Sequence, residues 1–237
     1  MPDNRHVAHT SSSGSSSFAV SSRARLTDRD LDRFRQDTLF DRLARAVCHA
    51  GCLPRKELYE AWEVAKRVRR LCRGGRVVDL AGGHGMLAHA MLLLDDSSPD
   101  ALVADIELPA SHVKLHTALV SEWPKLAGRV AFLETDLDSV PIEPGDVVVS
   151  SHTCGCLTDL VLDRAVSARA AVAVLPCCHD HDDAAARDLS GWVDGALAID
   201  IERAVRLRQE GYRVRLQMIP AAITPKNRLL IADVERL

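Results

Sequence analysis

Two rhythms of apolar and polar residues divide the chain. Between Arg23 and Gly75 the apolar residues recur at helical spacing. Thr27-Asp28-Arg29-Asp30 has the reciprocal cap of a helix start, and the stripe Leu39, Leu43, Ala46, Val47, Ala50 runs on from it to a stop at Gly51. Pro54 opens a second helix with the stripe Leu58, Ala61, Trp62, Ala65, Val68, Cys72, which Gly74 and Gly75 end. From Arg76 onward short apolar runs take over. Residues 76–81, 101–105, 130–133, 146–149 and 171–175 read as five buried strands. Helical stretches lie between them, reaching Leu94 and covering 109–121 and 157–167. Strands alternating with helices predict a parallel sheet covered on both faces.

The C-terminal end follows another pattern. A helix marked by Ile201, Ala204 and Val205 stops at Gly211. Val214, Leu216 and Met218 then alternate with Arg213, Arg215 and Gln217, as on a half-exposed strand. A turn at Thr224-Pro225-Lys226-Asn227 leads to a last strand at Leu229-Leu230-Ile231-Ala232. Two strands joined without a helix pair antiparallel. The predicted fold is α/β and Rossmann-like: a mostly parallel seven-stranded sheet with helices on both faces and an N-terminal helical extension. The expected organisation is a disordered Ser-rich tail over 1–22, the helical extension over 23–75 and the α/β domain over 76–237.

Composition narrows the class. Of 237 residues, 47% are apolar and 27% charged, the profile of a soluble globular domain. No apolar stretch approaches the ~20 residues of a membrane span, so no membrane partner is expected. The start has no apolar leader core, and the 7 cysteines include the adjacent pair Cys177-Cys178, which favours a reducing, cytoplasmic setting. The net charge of -3 is unevenly spread. Residues 23–76 hold 15 Lys+Arg against 8 Asp+Glu, a net of +7, whereas 77–237 hold 14 against 24. Such a split suits either a basic face for a polyanion such as RNA or a solvated pair of helices. No feature of the pattern specifies an oligomeric state.

The chemistry starts at Asp79-Leu80-Ala81-Gly82-Gly83-His84-Gly85, between a strand and a helix. Gly83-x-Gly85-x-x-Ala88 fits a dinucleotide loop loosely, so the glycines alone leave a nicotinamide cofactor and another nucleoside ligand both open. The acids separate them. A diphosphate needs bare donors at a helix N-terminus, and a carboxylate at Asp79 opposes its charge. S-adenosylmethionine has no phosphate; it brings a sulfonium, an amine, a ribose and an adenine. Asp105, at the second strand end, can accept the ribose hydroxyls. Asp136, after the third strand, can accept from the adenine amino group. All three acids fall at the carboxyl edge of the sheet, where open α/β folds bind ligands.

The loop, the three acids and the terminal strand pair resemble a class I S-adenosylmethionine-dependent methyltransferase over residues 54–237. The resemblance implies a last strand inserted antiparallel and a cofactor site at Asp79, Ala81, Gly83, Gly85, Asp105, Ile106, Asp136, Leu137 and Ser151. Ala81 stands where the family motif has its first glycine, a loss expected to be small because Gly82 and Gly83 follow.

Two further strand ends are rich in Cys and His: Ser150-Ser151-His152-Thr153-Cys154-Gly155-Cys156 with Thr158-Asp159, and Pro176-Cys177-Cys178-His179-Asp180-His181. They resemble the methyltransferase domain of the glutathione S-transferase C-terminal-domain-containing protein group. More distantly they resemble tRNA ribose 2'-O-methyltransferases, whose zinc-binding modules this chain does not show. The resemblance makes RNA, tRNA included, a favoured substrate, with a small molecule or a protein as alternatives. Three readings compete at these strand ends. One is transfer to oxygen or nitrogen, with His152 or His179 removing a proton and Cys154 beside them. Another is thiolate attack on a pyrimidine by Cys154 or Cys177. The third is a metal- or redox-sensing cluster of Cys154, Cys156, Cys177, Cys178, His179 and His181. Adjacent cysteines are poor partners in one tetrahedral site and no C-x-x-C pair is present, so no metal ligand is assigned, and packed, inert thiols remain a further reading; the expected catalytic set is His152, Cys154 and His179. Lys56, Glu57 and Glu60, on the helix leading into the domain, are candidates for a lid over the cofactor.

Overall fold

The computed structural model describes residues 18–179, 187–189 and 191–234. Helices α1 (Leu39–Ala50) and α2 (Arg55–Arg69) precede the sheet. Then come β1 (Val77–Leu80), α3 (Met86–Leu94), β2 (Ala101–Asp105), α4 (His112–Glu122), β3 (Val130–Glu134), β4 (Val147–Ser150), α5 (Cys156–Ala168) and β5 (Ala171–Val174). Helix α6 (Gly195–Gln209) leads to β6 (Tyr212–Met218) and β7 (Arg228–Val234). The seven strands lie in the order β3-β2-β1-β4-β5-β7-β6. The first five are parallel; β7 runs antiparallel to β5 and to β6, as expected.

The period of two along each strand builds two cores, one per face. Val77, Val103, Val147, Val149 and Ala173 pack with α1, α2, α3 and α4. Val78, Leu80, Ala104, Val148, Val172 and Val174 pack with α5 and α6 through Val161, Leu162, Ala165, Ala204 and Leu207. Both faces are thus covered, which is why the central strands are apolar without alternation. The helical segment before residue 76 is continuous with the first of these cores, since Leu43, Val47, Leu58 and Val64 belong to it. Among the described residues no helix is long and apolar enough to cross a membrane.

Two expectations change near the N-terminus. The cap at Thr27 closes only a 3-10 turn, Asp28–Arg33. Phe34 is buried at its end, and the Arg45 guanidinium donates to the carbonyls of Phe34 (2.6 Å) and Gln36 (2.9 Å). The chain therefore leaves helical geometry and restarts at α1, where the Thr38 hydroxyl accepts from the Asp41 N–H at 3.1 Å. The tail expected through residue 22 is held from Phe18 onward. Arg55 lies over the Phe18 ring at 3.6 Å and donates to the Ala19 carbonyl at 3.0 Å. Residues 1–17 of that tail lie outside the described residues.

The strand order reverses between β1 and β4, since the chain leaves β1 toward β2 and returns from β3 to β4 on the other side. The loops that follow these two neighbours part there and open a crevice at their carboxyl ends. The segments 81–85 and 151–152 border this crevice.

Candidate active site

That crevice holds a cleft of about 240 Å³, lined by Asp79, Ala81, Gly83, Asp105, Ser151 and His152, with Glu57 and Ala61 of α2 forming its roof. A second cavity of about 360 Å³ shares Ala81 and Asp105 with it and continues along Ile106, Asp136 and Leu137 to Leu157. Together they form an elongated site over the ends of β1, β2 and β3. The lining includes every expected cofactor residue except Gly85. An ideal Cβ on Gly85 would meet Val103 at 2.9 Å and the Phe132 ring at 3.1 Å, and its φ is +75°. The turn into α3 therefore requires a glycine at position 85. Gly83 is the reverse case: a Cβ there would meet nothing within 4 Å, so its bare backbone borders open space.

Ala81 corrects the expectation attached to it. Its φ is +54°, so the alanine itself adopts a left-handed conformation, and Gly83 (φ +51°) and Gly85 (φ +75°) share the turn without relieving it of that. Such a conformation costs a residue with a Cβ about 1–2 kcal/mol, stored where the two cavities join.

The acids differ in their surroundings. Asp79 is 1% exposed, and its Oδ2 accepts from the Ala88 N–H at 3.1 Å. Burial pushes its carboxyl up to about 7; the Ala88 N–H opposes this and the nearby Asp105 charge adds to it. Asp105 accepts from the Gly83 N–H at 3.0 Å, which fixes the loop against β2. Glu57 in the roof is also raised to about 7, by burial first and by the Glu60 charge second, against Lys56. Glu60 is buried and receives the Lys56 ammonium at 3.1 Å. Of the lid candidates, Glu57 reaches the cleft, while Lys56 and Glu60 pair with each other.

The structure does not bring the three expected catalytic residues together. His152 stands at the cleft mouth, exposed on one side. Protein packed around its ring lowers its basicity below that of a free imidazole; the Lys56 charge pushes the same way, against Asp105. The His179 side chain is 2% exposed and does not line the cleft; its Nε2 lies 2.7 Å from Asp200 on α6. Asp200 also receives the Arg228 guanidinium at 2.6 Å and Arg203 at 3.4 Å. Burial raises the Asp200 carboxyl, but hydrogen bonds from His179 and Arg228 outweigh it and hold the group below the usual carboxylate range. Cys154 is exposed and also lies off the cleft lining, with its Sγ 2.9 Å from that of Cys177. Asp180 and His181 fall outside the described residues.

The sequence alone did not reveal the charge network beneath these loops. Arg203 donates to both oxygens of Asp159, at 3.0 and 2.6 Å, and to the Gly155 carbonyl at 3.1 Å. It thereby ties the segment after β4 to α6. A lone Asp200 and Arg203 three apart on a helix look like a solvated pair; only their depth in the structure, 8% and 3% exposed, marks them otherwise.

A family profile described as a methyltransferase domain matches residues 56–182, more than half of the chain. The chain belongs to this methyltransferase-domain family. A glutathione S-transferase C-terminal domain-containing protein of Xenopus laevis is 30% identical to it over 152 residues, 62% of this chain and 21% of that protein. An O-methyltransferase family protein from Burkholderia thailandensis shares the fold with a TM-score of 0.50 at 21% identity, over 87% of this chain and 63% of the other. The mitomycin 7-O-methyltransferase structure gives a TM-score of 0.49 at 18% identity, over 86% and 60%. The methyltransferase-domain chain thus spans about a fifth of its curated relative and under two thirds of these structural neighbours.

Proposed function

We infer that the chain is an S-adenosylmethionine-dependent methyltransferase acting on an oxygen or nitrogen acceptor. One observation carries the cofactor assignment. The Asp79 carboxylate already takes the Ala88 N–H in the first turn of α3, the donor a diphosphate would need, and places an acid there instead. A cleft edged by Asp79, Asp105 and Glu57 favours a cation over a polyphosphate.

When bound, S-adenosylmethionine supplies a methyl group on a sulfonium, already activated for transfer. The residues of this chain have simpler tasks. Asp79 and Glu57 attract the positively charged end. Asp105 accepts from the ribose and Asp136 from the adenine, between the apolar Ile106 and Leu137. Gly83, Ala81 and Ser151 allow close approach at the junction. The α2 roof excludes water and fixes the approach of the acceptor. His152, neutral at pH 7 because its basicity is depressed, can take the acceptor's proton as the methyl group arrives.

The acceptor is assigned by atom class rather than by polymer. Of the 15 basic residues between Arg23 and Arg76, nine have an acidic partner, so the local excess of +7 is not matched by as many unanswered cations. RNA therefore rests on the resemblance alone, and small molecules compete with it.

Two measurements test this reading. Calorimetric titration should give binding of S-adenosylmethionine and none of NADH; NADH binding alone overturns the cofactor assignment. Transfer of a tritiated methyl group should be followed into total RNA and, in parallel, into a small-molecule extract. His152→Ala should reduce it about 100-fold with cofactor affinity retained. Undiminished transfer removes His152 as the base.

A further inference from the structure

The segments after β4 and β5 bring three sulfurs together apart from the cleft. The Sγ atoms of Cys154, Cys177 and Cys178 all lie within 4.8 Å of one another. Adjacent cysteines point to opposite faces while they belong to a strand. Here β5 ends at Val174, and Cys177 and Cys178 lie beyond it in irregular chain, where that alternation no longer applies. The objection to adjacent ligands therefore does not hold at this position.

The cluster rests on a braced frame. The Gly155 N–H donates to the Cys178 carbonyl at 3.2 Å, joining the two segments directly. The Thr158 hydroxyl donates to the Thr153 carbonyl at 3.0 Å, and Arg203 holds the Gly155 carbonyl. Such outer contacts orient ligands before an ion arrives. Cys154 and Cys178 are exposed and Cys177 is half-buried, so an ion has access from solvent.

We propose that Cys154, Cys177 and Cys178 form a three-thiolate site for a soft d10 metal ion, zinc in the first instance, with its fourth position open to solvent. Zinc bonds thiolate sulfur at about 2.3 Å, which puts sulfurs of a tetrahedral site roughly 3.8 Å apart. The observed spacing needs adjustments of no more than about an ångström to reach that. Thiolate donors select zinc or copper(I) over the hard cations that bind carboxylates. Binding releases the three thiol protons to the buffer and changes no oxidation state. The ion would join the ends of β4 and β5 across the loop that carries His152. The proposal does not depend on the methyltransferase reading, because its readout is metal content.

The test uses the full chain, reduced and stripped of metal, titrated with zinc chloride against a chromophoric chelator without oxygen. One zinc per chain is expected. Cys154→Ser, Cys177→Ser and Cys178→Ser should each weaken binding about 100-fold or more, while Cys156→Ser, an exposed neighbour outside the cluster, should leave it unchanged. Failure to retain zinc against the chelator overturns the site, as does equal weakening by Cys156→Ser. Should the serine variants not fold, cobalt(II) added to the unmodified chain decides. Thiolate-to-cobalt absorption of the strength of three sulfurs supports the site; a weaker band or none overturns it.

Discussion

Asp79→Asn is expected to weaken S-adenosylmethionine binding by roughly 10- to 100-fold while leaving the fold at least as stable. The asparagine carbonyl can still accept the Ala88 N–H, so the turn into α3 keeps its hydrogen bond. What disappears is the charge facing a cationic ligand, and hydrogen bonds to charged groups are worth about 1.5–3 kcal/mol. The pH dependence isolates this effect. The Asp79 carboxyl lies near 7 in the free protein, so much of it is protonated at pH 6. A bound cation favours the ionised form, so affinity should rise about tenfold from pH 6 to 8 through Asp79 alone. The asparagine variant should lose that share of the slope. Stability runs the other way. A carboxyl whose value is raised on folding supports the fold at low pH and withdraws that support as pH rises through about 7. The variant never charges, so above pH 7 its thermal midpoint should equal or exceed that of the parent. Calorimetric titrations at three pH values, with a melt at each, check both halves. A variant that binds as tightly as the parent and shows the same pH slope would remove Asp79 from the site.

Arg203→Met is expected to cost about 3 kcal/mol, a fall of roughly 10 °C in the thermal midpoint for a chain of this size. Methionine keeps most of the volume but removes the charge that Asp159, Asp200 and the Gly155 carbonyl share. Removing one member of a buried pair typically costs about 3–5 kcal/mol. The lower end applies because Asp159 retains Arg206 at 3.3 Å, and Asp200 retains His179 and Arg228. A scan of thermal unfolding measures it; a midpoint within 2 or 3 °C of the parent, less than ~1 kcal/mol, would show that the network is solvated and adds little. Arg203→Lys should recover only part of the loss, because an ammonium cannot span both oxygens of Asp159 as the guanidinium does.

Features that reside in local pattern could be read from the sequence. Apolar runs of four or five residues set the strands, and acids at their ends line the two joined cavities: Asp79 and Asp105 the cleft, Asp105 and Asp136 its continuation. Features decided by partners far along the chain could not. His179 has the sequence context of a catalytic base, but Asp200, 21 residues later, takes its Nε2 and packs it beneath α6. Thr27 has the local signature of a helix cap, yet carbonyls claimed by Arg45 stop that helix after the six residues Asp28–Arg33, two 3-10 turns. Ala81 gave no sign of its left-handed φ, because spacing records which residues are present and not which of them bends.

The continuity of α1 and α2 with the core of one sheet face has a practical side for anyone handling this polypeptide. A cut at residue 75 would expose the apolar undersides of α3 and α4 and remove Glu57 and Ala61 from above the cleft. Trimming, grafting and chimaera building should therefore keep the segment from Phe18 together with the sheet, as a single cassette.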